Sequence, residues 1–433
     1  MRRLYTLLLY LALPWVALRM RARERGASGS GWRERLGFGT RRAGGGIWLH
    51  AVSVGEMQAA AVLVAALRAR ARVPELTLTC TTPTGRARAA ALMPDVPVRY
   101  APYDLPGSLR RCLSQLRPRL LILIETELWP NLLHEAHRAG VPVLIASARV
   151  SERSARFYRR FPGLLHAALQ ANVWVGAQTA ADAQRFATLG VTAGHRSVVG
   201  NIKFDRTLPG SVAERGAAQR VRYADGRPVW VAGSTHPGEE PILLEAHREL
   251  RRTLPRALLV LAPRHPQRFD EAAAAVQAAG LRCLRRSRCA PDLQAAGHDG
   301  GGPDGDGYEV LLLDTLGELV EFYAAADVAF VGGSLVPVGG HNLLEPAALG
   351  LPVLAGPQQF NSPDVARILT EHGALTTVEE AAGLATVLAH LLGDAEARAA
   401  QGGRARAAIQ ANRGALARVL GLVDQLLDAS RGS

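Results

Sequence analysis

Carboxylates stand directly after two apolar segments in the first half of the sequence, where they could take part in acid–base chemistry. Glu56 ends the motif HAVSVGE (residues 50–56), at a predicted turn from a strand into a helix. A general base must be ionised and within reach of the hydroxyl that it deprotonates. Because the positive end of a helix dipole lowers the pKa of a nearby carboxylate, we expect Glu56 to be ionised. The alternative is that Glu56 only stabilises the start of the helix.

A second acidic cluster, ETELWPN (residues 125–131), follows the apolar segment Leu120–Ile124. Its place at the end of a predicted strand favours a functional role, although acids close to a proline are also typical of a helix start. If the strand continues into the motif, Glu125 and Glu127 point to opposite sides, so that only one of them faces a ligand.

Lys203 lies in the motif GNIKFD (residues 200–205) and is a rare lysine in an arginine-rich chain. A lysine ammonium is a compact point charge that suits a phosphate or a carboxylate. Two interpretations are equally compatible with the sequence: Lys203 contacts a ligand, or it is a surface residue paired with Asp205.

Polar and glycine-rich motifs follow strand-like segments of the second half and predict an anion site. Arg264 can bind a phosphate through two hydrogen bonds, and a glycine-rich loop that opens a helix offers backbone N–H groups. A glutamate one turn into such a helix can hold ribose hydroxyls. The series as a whole favours a nucleotide. The motifs are GSTH (233–236), PRHP (263–266), DTLGEL (314–319), VGGS (331–334) and GGHNLLEP (339–346).

Several chemistries are disfavoured by the sequence. It contains no Walker motif, no GxGxxG after a strand and no cluster with metal-ligand spacing, which argues against ATP hydrolysis and dinucleotide redox chemistry. Its four cysteines form no CxxC pair, so a zinc site is not expected. They are also too few for a disulfide framework in a chain of 433 residues, which favours the cytosolic side of a membrane.

Apolar runs without polar alternation, separated by helical patterns, predict parallel sheets covered on both faces. The pattern occurs twice, so we expect an α/β protein with two doubly wound, Rossmann-like domains that face a cleft. Residues 205–227 resemble a polar, irregular linker, residues 290–307 a mobile loop, and the chain from Val378 onward alanine-rich helices. The runs are 47–51, 76–80, 120–124, 141–146 and 173–176, then 228–233, 257–262, 310–314, 328–332 and 352–356.

The N-terminus joins an apolar run to a high positive charge. The run Leu4–Leu18 is shorter than the ~20 residues that span a bilayer and contains Pro14. Residues 1–45 hold ten arginines and two glutamates, a net charge of +8 of the chain's +13. Basic residues around an apolar segment favour an anionic lipid surface over nucleic acid. We therefore expect an uncleaved anchor or interfacial helix; the alternative is a buried first helix of a globular domain.

Ten motifs, in order from about residue 47 to about residue 365, resemble those of the 3-deoxy-D-manno-octulosonate (Kdo) transferases of lipopolysaccharide synthesis. They are HAVSVGE (50–56), TTPTG (81–85), PYDLP (102–106), ETELWPN (125–131), GNIKFD (200–205), GSTHPGEE (233–240), PRHPQR (263–268), DTLGEL (314–319), FVGGSLVPVGGHNLLEPAA (330–348) and GP followed by FN (356–361).

The resemblance implies the GT-B glycosyltransferase fold at the cytoplasmic face of the inner membrane. It implies inverting transfer of Kdo from CMP-Kdo to a lipid A precursor, lipid IVA, without a metal or other cofactor. Glu56 would be the general base, and Glu125 and Lys203 would stabilise the transition state. The residues that would hold CMP are Pro263, Arg264, Leu316, Gly317, Glu318, Asn342, Leu343, Leu344 and Glu345.

With this resemblance, residues 1–25 are predicted to be the membrane anchor or interfacial helix. Residues 26–210 would form the acceptor-binding domain, and residues 211–433 the CMP-Kdo-binding domain with its C-terminal helices. The sequence departs from the family at three places, where Leu316, Leu343 and Ser147 stand for the usual Met, Pro and Asn. The change at Ser147 leaves open whether that position keeps a polar role.

Two other functions are compatible with parts of this pattern. A nucleotide-sugar epimerase can have the same two-domain architecture, but it needs no basic, apolar N-terminus. A membrane-bound nucleotide-sugar sensor would keep the motifs of the second half, but it would not need Glu56 and the ETELWPN cluster. Release of CMP that depends on a lipid acceptor separates the three.

Overall fold

The structure is a computed structural model that describes residues 1–23, 31–39, 44–70, 74–224, 226–289 and 307–429. The chain forms two compact units, the first comprising Met1–Arg206 and the C-terminal segment from Asn412, and the second Thr207–Ala411. The sequence analysis had placed the boundary after residue 210 and all the C-terminal helices in the second domain. The last helix instead groups with the first unit.

A parallel sheet forms the centre of the first unit. Its strands are β1 (Ile47–His50), β2 (Leu76–Cys80), β3 (Val98–Tyr100), β4 (Leu120–Ile124), β5 (Val143–Ala148), β6 (Val173–Ala177) and β7 (Arg196–Val198). They lie in the order β3-β2-β1-β4-β5-β6-β7, and all neighbouring pairs are parallel. Every residue of β1, β2, β4 and β5 is buried, which explains their continuous apolar sequences.

Helices connect and cover these strands. They are α1 (Arg2–Arg23), α2 (Trp32–Arg35), α3 (Val54–Arg68), α4 (Pro83–Leu92), α5 (Pro106–Leu116), α6 (Pro130–Arg138), α7 (Glu152–Arg160), α8 (His166–Asn172) and α9 (Ala180–Leu189). Short 3-10 turns lie at Pro162–Leu164, Ala193–His195 and Ile202–Asp205. Four of these helices begin behind a hydroxyl side chain that accepts a backbone N–H, and three begin with proline as their first residue. Both devices favour a sharp change from strand to helix.

The second unit repeats this architecture. Its strands are β8 (Val229–Thr235), β9 (Leu258–Pro263), β10 (Cys283–Arg285), β11 (Val310–Leu312), β12 (Val328–Val331), β13 (Val353–Ala355) and β14 (Leu375–Thr377). Their order is β10-β11-β9-β8-β12-β13-β14, again with all neighbouring pairs parallel. The predicted α/β class and its two parallel sheets are therefore confirmed.

The helices of the second unit are α10 (Val212–Tyr223), α11 (Glu240–Thr253), α12 (Phe269–Ala278), α13 (Leu319–Ala325), α14 (Leu344–Leu349), α15 (Pro363–Glu371), α16 (Ala381–Gly393) and α17 (Ala395–Ala411), with 3-10 turns at Pro266–Arg268 and Arg286–Arg288. The expectation of an irregular linker at 205–227 was wrong, since α10 occupies half of it and packs on α13. Apart from Gly307, the predicted loop at 290–307 lies outside the described residues.

All ten strand-like runs of the sequence correspond to strands, and the four strands without such a run are β3, β7, β10 and β14. These four occupy the two edges of each sheet. Each has only three residues; three of the four contain arginine, and the fourth, β14, is partly exposed. An edge strand is paired and covered less completely than a central one, so it does not need a continuous apolar sequence.

The strand order reverses between β1 and β4 in the first sheet and between β8 and β12 in the second. Ligands of doubly wound sheets bind outside the carboxyl ends of the strands at this point. Glu56 and Glu125 follow β1 and β4, and His236 and Gly332 follow β8 and β12. Each unit therefore brings motifs that were singled out in the sequence to its own switch point.

The N-terminal apolar run forms part of α1, whose leucines Leu4, Leu7 and Leu11 are exposed. The alternative of a buried first helix was therefore wrong. No helix in the described part of the chain is long and apolar enough to cross a bilayer. Polar residues hold α1 to the body of the unit: the Tyr5 hydroxyl donates to Asp104 (2.9 Å), and Arg2 and Thr6 donate to Asn131 (3.1 and 3.0 Å).

The last helix, α18 (Ala415–Ala429), packs on the first sheet and is fixed there through Asp205. The Asp205 carboxylate accepts hydrogen bonds from the backbone N–H groups of Gly414 (2.6 Å) and Leu416 (2.8 Å). Its side chain therefore caps the N-terminus of a helix more than 200 residues away in the sequence.

Replacing Asp205 by alanine should lower the free energy of unfolding by about 1–2 kcal/mol, because two backbone N–H groups at the start of α18 lose their acceptor. Urea denaturation followed by circular dichroism measures this change. The matched control is Asp95→Ala, whose carboxylate pairs with Arg68 at the surface (3.2 Å) and should matter by less than about 1 kcal/mol. Equal losses in the two variants would contradict the capping role.

Candidate active site

Glu56 is fixed at the start of α3 by a reciprocal pair of hydrogen bonds. Its backbone N–H donates to the Ser53 hydroxyl oxygen (3.2 Å), and the Ser53 hydroxyl donates to Oε1 of Glu56 (2.8 Å). The backbone N–H of Val52 donates to Oε2 (2.7 Å). This is a capping box, S-x-x-E, which holds the carboxylate in one orientation at the end of β1.

The pKa of Glu56 differs in direction from the expectation based on the helix dipole. Burial raises it, and the charge of Glu125 raises it further, while the hydrogen bonds from Val52 and Ser53 lower it only in part. The expectation was wrong because the side chain is only 8% exposed, and desolvation of a carboxylate outweighs the dipole. A raised pKa makes the ionised carboxylate a stronger base toward a hydroxyl.

Glu125 forms the centre of a buried ion cluster. Its Oε1 lies 2.5 Å from Nζ of Lys203, and its Oε2 lies 3.1 Å from Nε of Arg149. Lys203 is the only lysine in the sequence. Since a buried carboxylate is costly unless it is paired, the two cations allow Glu125 to stay buried. The predicted site residues Glu125 and Lys203 therefore lie in direct contact.

The strand β4 stops at Ile124, and Glu125 adopts a left-handed backbone conformation with φ of 62°. The expectation that only one of the two glutamates faces a ligand depended on a continuing strand. That condition is not met, so which of them faces a ligand stays a prediction. The charge of Glu125 raises the pKa of Glu56, and the charge of Glu56 raises the pKa of Glu127. Three carboxylates thus gather at the switch point of the first sheet.

Ser147 keeps a polar role at the position where the family usually has Asn. Its hydroxyl oxygen accepts the backbone N–H of Ile202 (3.0 Å), and Asn201 Oδ1 accepts the backbone N–H of Lys203 (3.0 Å). These two bonds set the turn that directs Lys203 toward Glu125. Lys203 therefore pairs with Glu125 and not with Asp205, whose carboxylate caps α18.

Glu127 has a pKa well above the usual value of a glutamate. Burial raises its pKa to about 7, with further contributions from the charges of Glu56 and Glu125, against a hydrogen bond from the indole of Trp129. The Trp129 Nε1–H donates to Oε2 of Glu127 at 2.7 Å. A group with this pKa can both accept and release a proton near neutral pH.

The sequence pattern predicts that the VGGS loop of the second unit offers its backbone N–H groups to a phosphate. This prediction was wrong, because the amides are already engaged. The carboxylate of Glu239, which is fully buried, accepts the backbone N–H groups of Gly333 (2.7 Å), Ser334 (3.0 Å) and Leu335 (2.9 Å). It also accepts the N–H of His236 (2.9 Å). An internal carboxylate therefore fills the anion-binding concavity of this loop.

Arg264 lies beside this loop and makes no ion pair with any residue that the structure describes. It acts electrostatically on His236 and His341, whose Nε2 atoms are 2.8 Å apart. The neighbouring Arg268, in contrast, is tied to Glu240 (2.6 Å) and Glu271 (3.0 Å). Of the two arginines, Arg264 is therefore the one available to an incoming anion.

The remaining predicted site residues lie in the DTLGEL loop, at the start of α14 and at the end of β9. In the DTLGEL loop, the Leu316 side chain is 71% exposed and Gly317 has φ of 89°, while Glu318 pairs with Arg286 (2.8 Å). At the start of α14, Asn342 Oδ1 accepts the N–H of Leu344 (3.1 Å). The side chains of Pro263, Leu343 and Leu344 are buried, so these residues could contact a ligand only through their backbone.

Among the described residues, no three or more His, Cys, Asp or Glu side chains are placed to hold a metal ion. Sequence reasoning did not select Arg149, Glu127, Trp129 or Glu239 as site residues. Glu127, Trp129 and Glu239 lie inside motifs that it quoted, so the motifs pointed to the right segments but not to every participating side chain. Arg149 lies outside the quoted motifs, and nothing in its local sequence indicates that its partner is Glu125, which follows a different strand.

Trp129→Phe should raise the pKa of Glu127 further, because a hydrogen bond that favours the ionised carboxylate is lost while burial remains. Carbon-13 NMR titration of glutamate side chains measures the shift. Trp174→Phe is the matched control, since that indole stacks on His195, with ring centroids 4.2 Å apart, and should leave Glu127 unaffected. An unchanged Glu127 titration in Trp129→Phe would contradict the assigned contact.

Comparison with known proteins identifies the family. A family model described as "3-Deoxy-D-manno-octulosonic-acid transferase (kdotransferase)" matches residues 30–206. The 3-deoxy-D-manno-octulosonic acid transferase of Bordetella pertussis is 41% identical over 443 residues, which cover 98% of this chain and 99% of the relative. The enzyme of that name from Haemophilus influenzae is 36% identical over 385 residues, covering 88% and 87%.

Solved structures match the chain as well. The C-terminal CMP-Kdo binding domain of WaaA from Acinetobacter baumannii is 31% identical, covers 46% of this chain and 98% of its own, and has a TM-score of 0.41. The UDP-GlcNAc 2-epimerase from Neisseria meningitidis is 12% identical, covers 86% and 95%, and has a TM-score of 0.54, a likeness of fold alone. On the extent and identity of its curated relatives, the chain belongs to the 3-deoxy-D-manno-octulosonic acid transferase family.

Proposed function

We propose that this protein transfers Kdo from CMP-Kdo to a lipid A precursor, lipid IVA, in lipopolysaccharide biosynthesis. The names of its relatives supply the sugar, and the observation that carries the chemistry is the oriented carboxylate of Glu56, whose pKa is raised by burial. The similarity of fold to a nucleotide-sugar epimerase supplies no residue-level reason for epimerisation.

In the proposed reaction, Glu56 accepts the proton of an acceptor hydroxyl as its oxygen attacks the anomeric carbon of Kdo. The bond from that carbon to the phosphate oxygen breaks, its electron pair leaves with CMP, and the configuration inverts. Glu125 fixes Lys203 through their 2.5 Å contact and places a positive charge near the ionising groups. Electrostatic stabilisation by such preorganised groups is commonly the largest contribution to catalysis.

We assign the donor nucleotide to the second unit. Arg264 would bind phosphate oxygens, and the exposed Leu316 with Gly317 and Glu318 would contact the nucleoside, together with the segment 342–345. With Lys203 and Arg264 supplying positive charge, we propose that transfer needs neither a metal ion nor another cofactor, and that the protein has no nucleic-acid partner.

The acceptor is a lipid, and we propose that α1 lies on the cytoplasmic face of the inner membrane. The hydrogen bonds of Arg2, Tyr5 and Thr6 direct the polar side of α1 toward the protein. The opposite side exposes an apolar stripe at helical spacing. Its members are Leu4, Leu7, Leu8, Leu11 and Trp15, each between 55% and 68% exposed. A helix with this distribution is suited to the interface rather than the bilayer core.

Helix α7, which carries exposed arginine and phenylalanine side chains, extends this surface. Both α1 and α7 contact the turn Pro162–Leu164, so the two helices flank the same segment. In α7, Phe157 is exposed and its ring packs against Phe161 with centroids 5.2 Å apart. The exposed arginines of the helix would attract anionic lipid, at roughly 1 kcal/mol each. They are Arg153, Arg156, Arg159 and Arg160.

Glu56→Gln should reduce Kdo transfer by about 100-fold to 10,000-fold while leaving CMP-Kdo binding intact, because the amide cannot accept the proton. Release of CMP that depends on the lipid acceptor is the measurement. Glu396→Gln is the control, since Glu396 also lies in the first turn of a helix, α17, and is exposed. Full turnover in Glu56→Gln would refute the base assignment.

Leu8→Glu combined with Leu11→Glu should weaken binding to vesicles that contain anionic lipid by more than about tenfold, because two exposed apolar side chains can no longer enter the interface. Vesicle cosedimentation measures the partition. Val221→Glu is the control, since Val221 is 81% exposed on α10 of the second unit. If the α1 variant and the control bind equally well, α1 is not the membrane surface.

A further inference from the structure

Two histidines share a short contact at the switch point of the second sheet. His236 directly follows β8, and His341 lies in the loop between β12 and α14. Their Nε2 atoms are 2.8 Å apart, and their ring planes are nearly parallel (11°), with centroids 5.0 Å apart. The segments that follow β8 and β12, between which the strand order reverses, are therefore in contact through two imidazoles.

The contact restricts where the protons of the pair reside. A hydrogen bond between two Nε2 atoms needs a proton on one of them and a lone pair on the other. With both rings neutral, the ring that accepts at Nε2 carries its own proton on Nδ1, and the donor ring has a bare Nδ1. One added proton can bind at this bare Nδ1 without breaking the Nε2–Nε2 bond. The pair then has a single positive charge and an N–H at each Nδ1.

The surroundings keep this pair neutral while no anion is bound. Burial lowers the pKa of His341 to about 4, with added repulsion from His236, Arg264 and His265. Burial also lowers the pKa of His236, against the attraction of Glu239 and Glu240 and with the repulsion of His265 and Arg264.

The acids near the pair are already engaged, Glu239 by four backbone N–H groups and Glu240 by Arg268 and Thr235. Among the described residues, Arg264 therefore has no ion-pair partner, and neither acid makes a hydrogen bond to an imidazole of the pair.

We propose that His236 and His341 form a proton-sharing pair that takes up one proton when an oxyanion binds beside Arg264. An oxyanion in contact with Arg264 removes the repulsion that disfavours the imidazolium and attracts the added charge. Because the pKa of the pair is higher with the anion bound than without it, proton uptake accompanies binding. The affinity then rises as the pH falls, by up to about tenfold per pH unit for one proton.

The proposal deepens the proposed function, and only the identity of the anion rests on that function. If CMP-Kdo is the donor, the phosphate diester or the carboxylate of the sugar could be the anion. When the bond from sugar to phosphate breaks, the leaving phosphate gains a second negative charge. The proton already held by the pair then offsets this charge, and no other reactant is needed.

The direct test measures the proton in the full-length protein. Cytidine 5′-(methyl phosphate) has a phosphate diester that does not titrate between about pH 5 and about pH 7. Its binding should be followed by calorimetry in buffers of different ionisation enthalpy. We expect uptake that approaches one proton toward the acid end of this range, and none with cytidine. Free Kdo provides the carboxylate without the phosphate and tells the two sources apart.

His236→Gln and His341→Gln should each abolish the pH dependence of diester binding, whereas His372→Gln, at the exposed end of α15, should keep it. Diester binding by the wild-type protein without proton uptake, or uptake that survives both substitutions, would overturn the proposal. Kdo transfer is assayed separately. Transfer without proton uptake refutes only the histidine pair, and proton uptake without transfer refutes only the proposed reaction.

Discussion

The first unit depends on compensating the negative charge of Glu125, which is buried away from water. A buried carboxylate is stable only when its charge and lone pairs are matched, and here Lys203 and Arg149 do so from 2.5 and 3.1 Å. This requirement explains the arrangement around them: β4 stops at Ile124, Ser147 adopts a left-handed conformation within β5, and its hydroxyl holds the turn that carries Lys203. The only lysine of the chain is thus committed to one contact. Burial is the main cause of the raised pKa of Glu56 and of Glu127, and the negative charge of Glu125 adds to it.

In the second unit, a buried carboxylate is stabilised by backbone N–H groups and not by cations. The glycine-rich loop of this unit offers backbone N–H groups that would bind an anion, and Glu239 occupies them permanently. These amides are therefore engaged, and we propose that an incoming anion is bound by side chains instead, namely Arg264 and the two histidines. The two units share a fold and place their polar residues at equivalent positions of the sheet, yet one gathers carboxylates and the other gathers cations and imidazoles.

Much of this arrangement can be predicted from the sequence, and the exceptions have physical reasons. Central strands such as Leu120–Ile124 must be apolar throughout because both faces are buried, whereas the edge strand Arg196–Val198 carries no such signature. The motifs placed Glu56 and Glu125 at the correct strand ends. The pKa of Glu56 could not be predicted from its helix position, since burial depends on tertiary packing. The partners of Glu125 and Glu239 come from distant segments, which no local pattern links.

We propose that this family member adds Kdo to a lipid A precursor at a membrane surface. The most direct test incubates the purified full-length protein with CMP-Kdo and lipid IVA and determines the mass of the lipid. We expect a product heavier by one or more Kdo residues, formed together with CMP. A lipid of unchanged mass, while CMP-Kdo is consumed or a nucleotide sugar is epimerised, would contradict it.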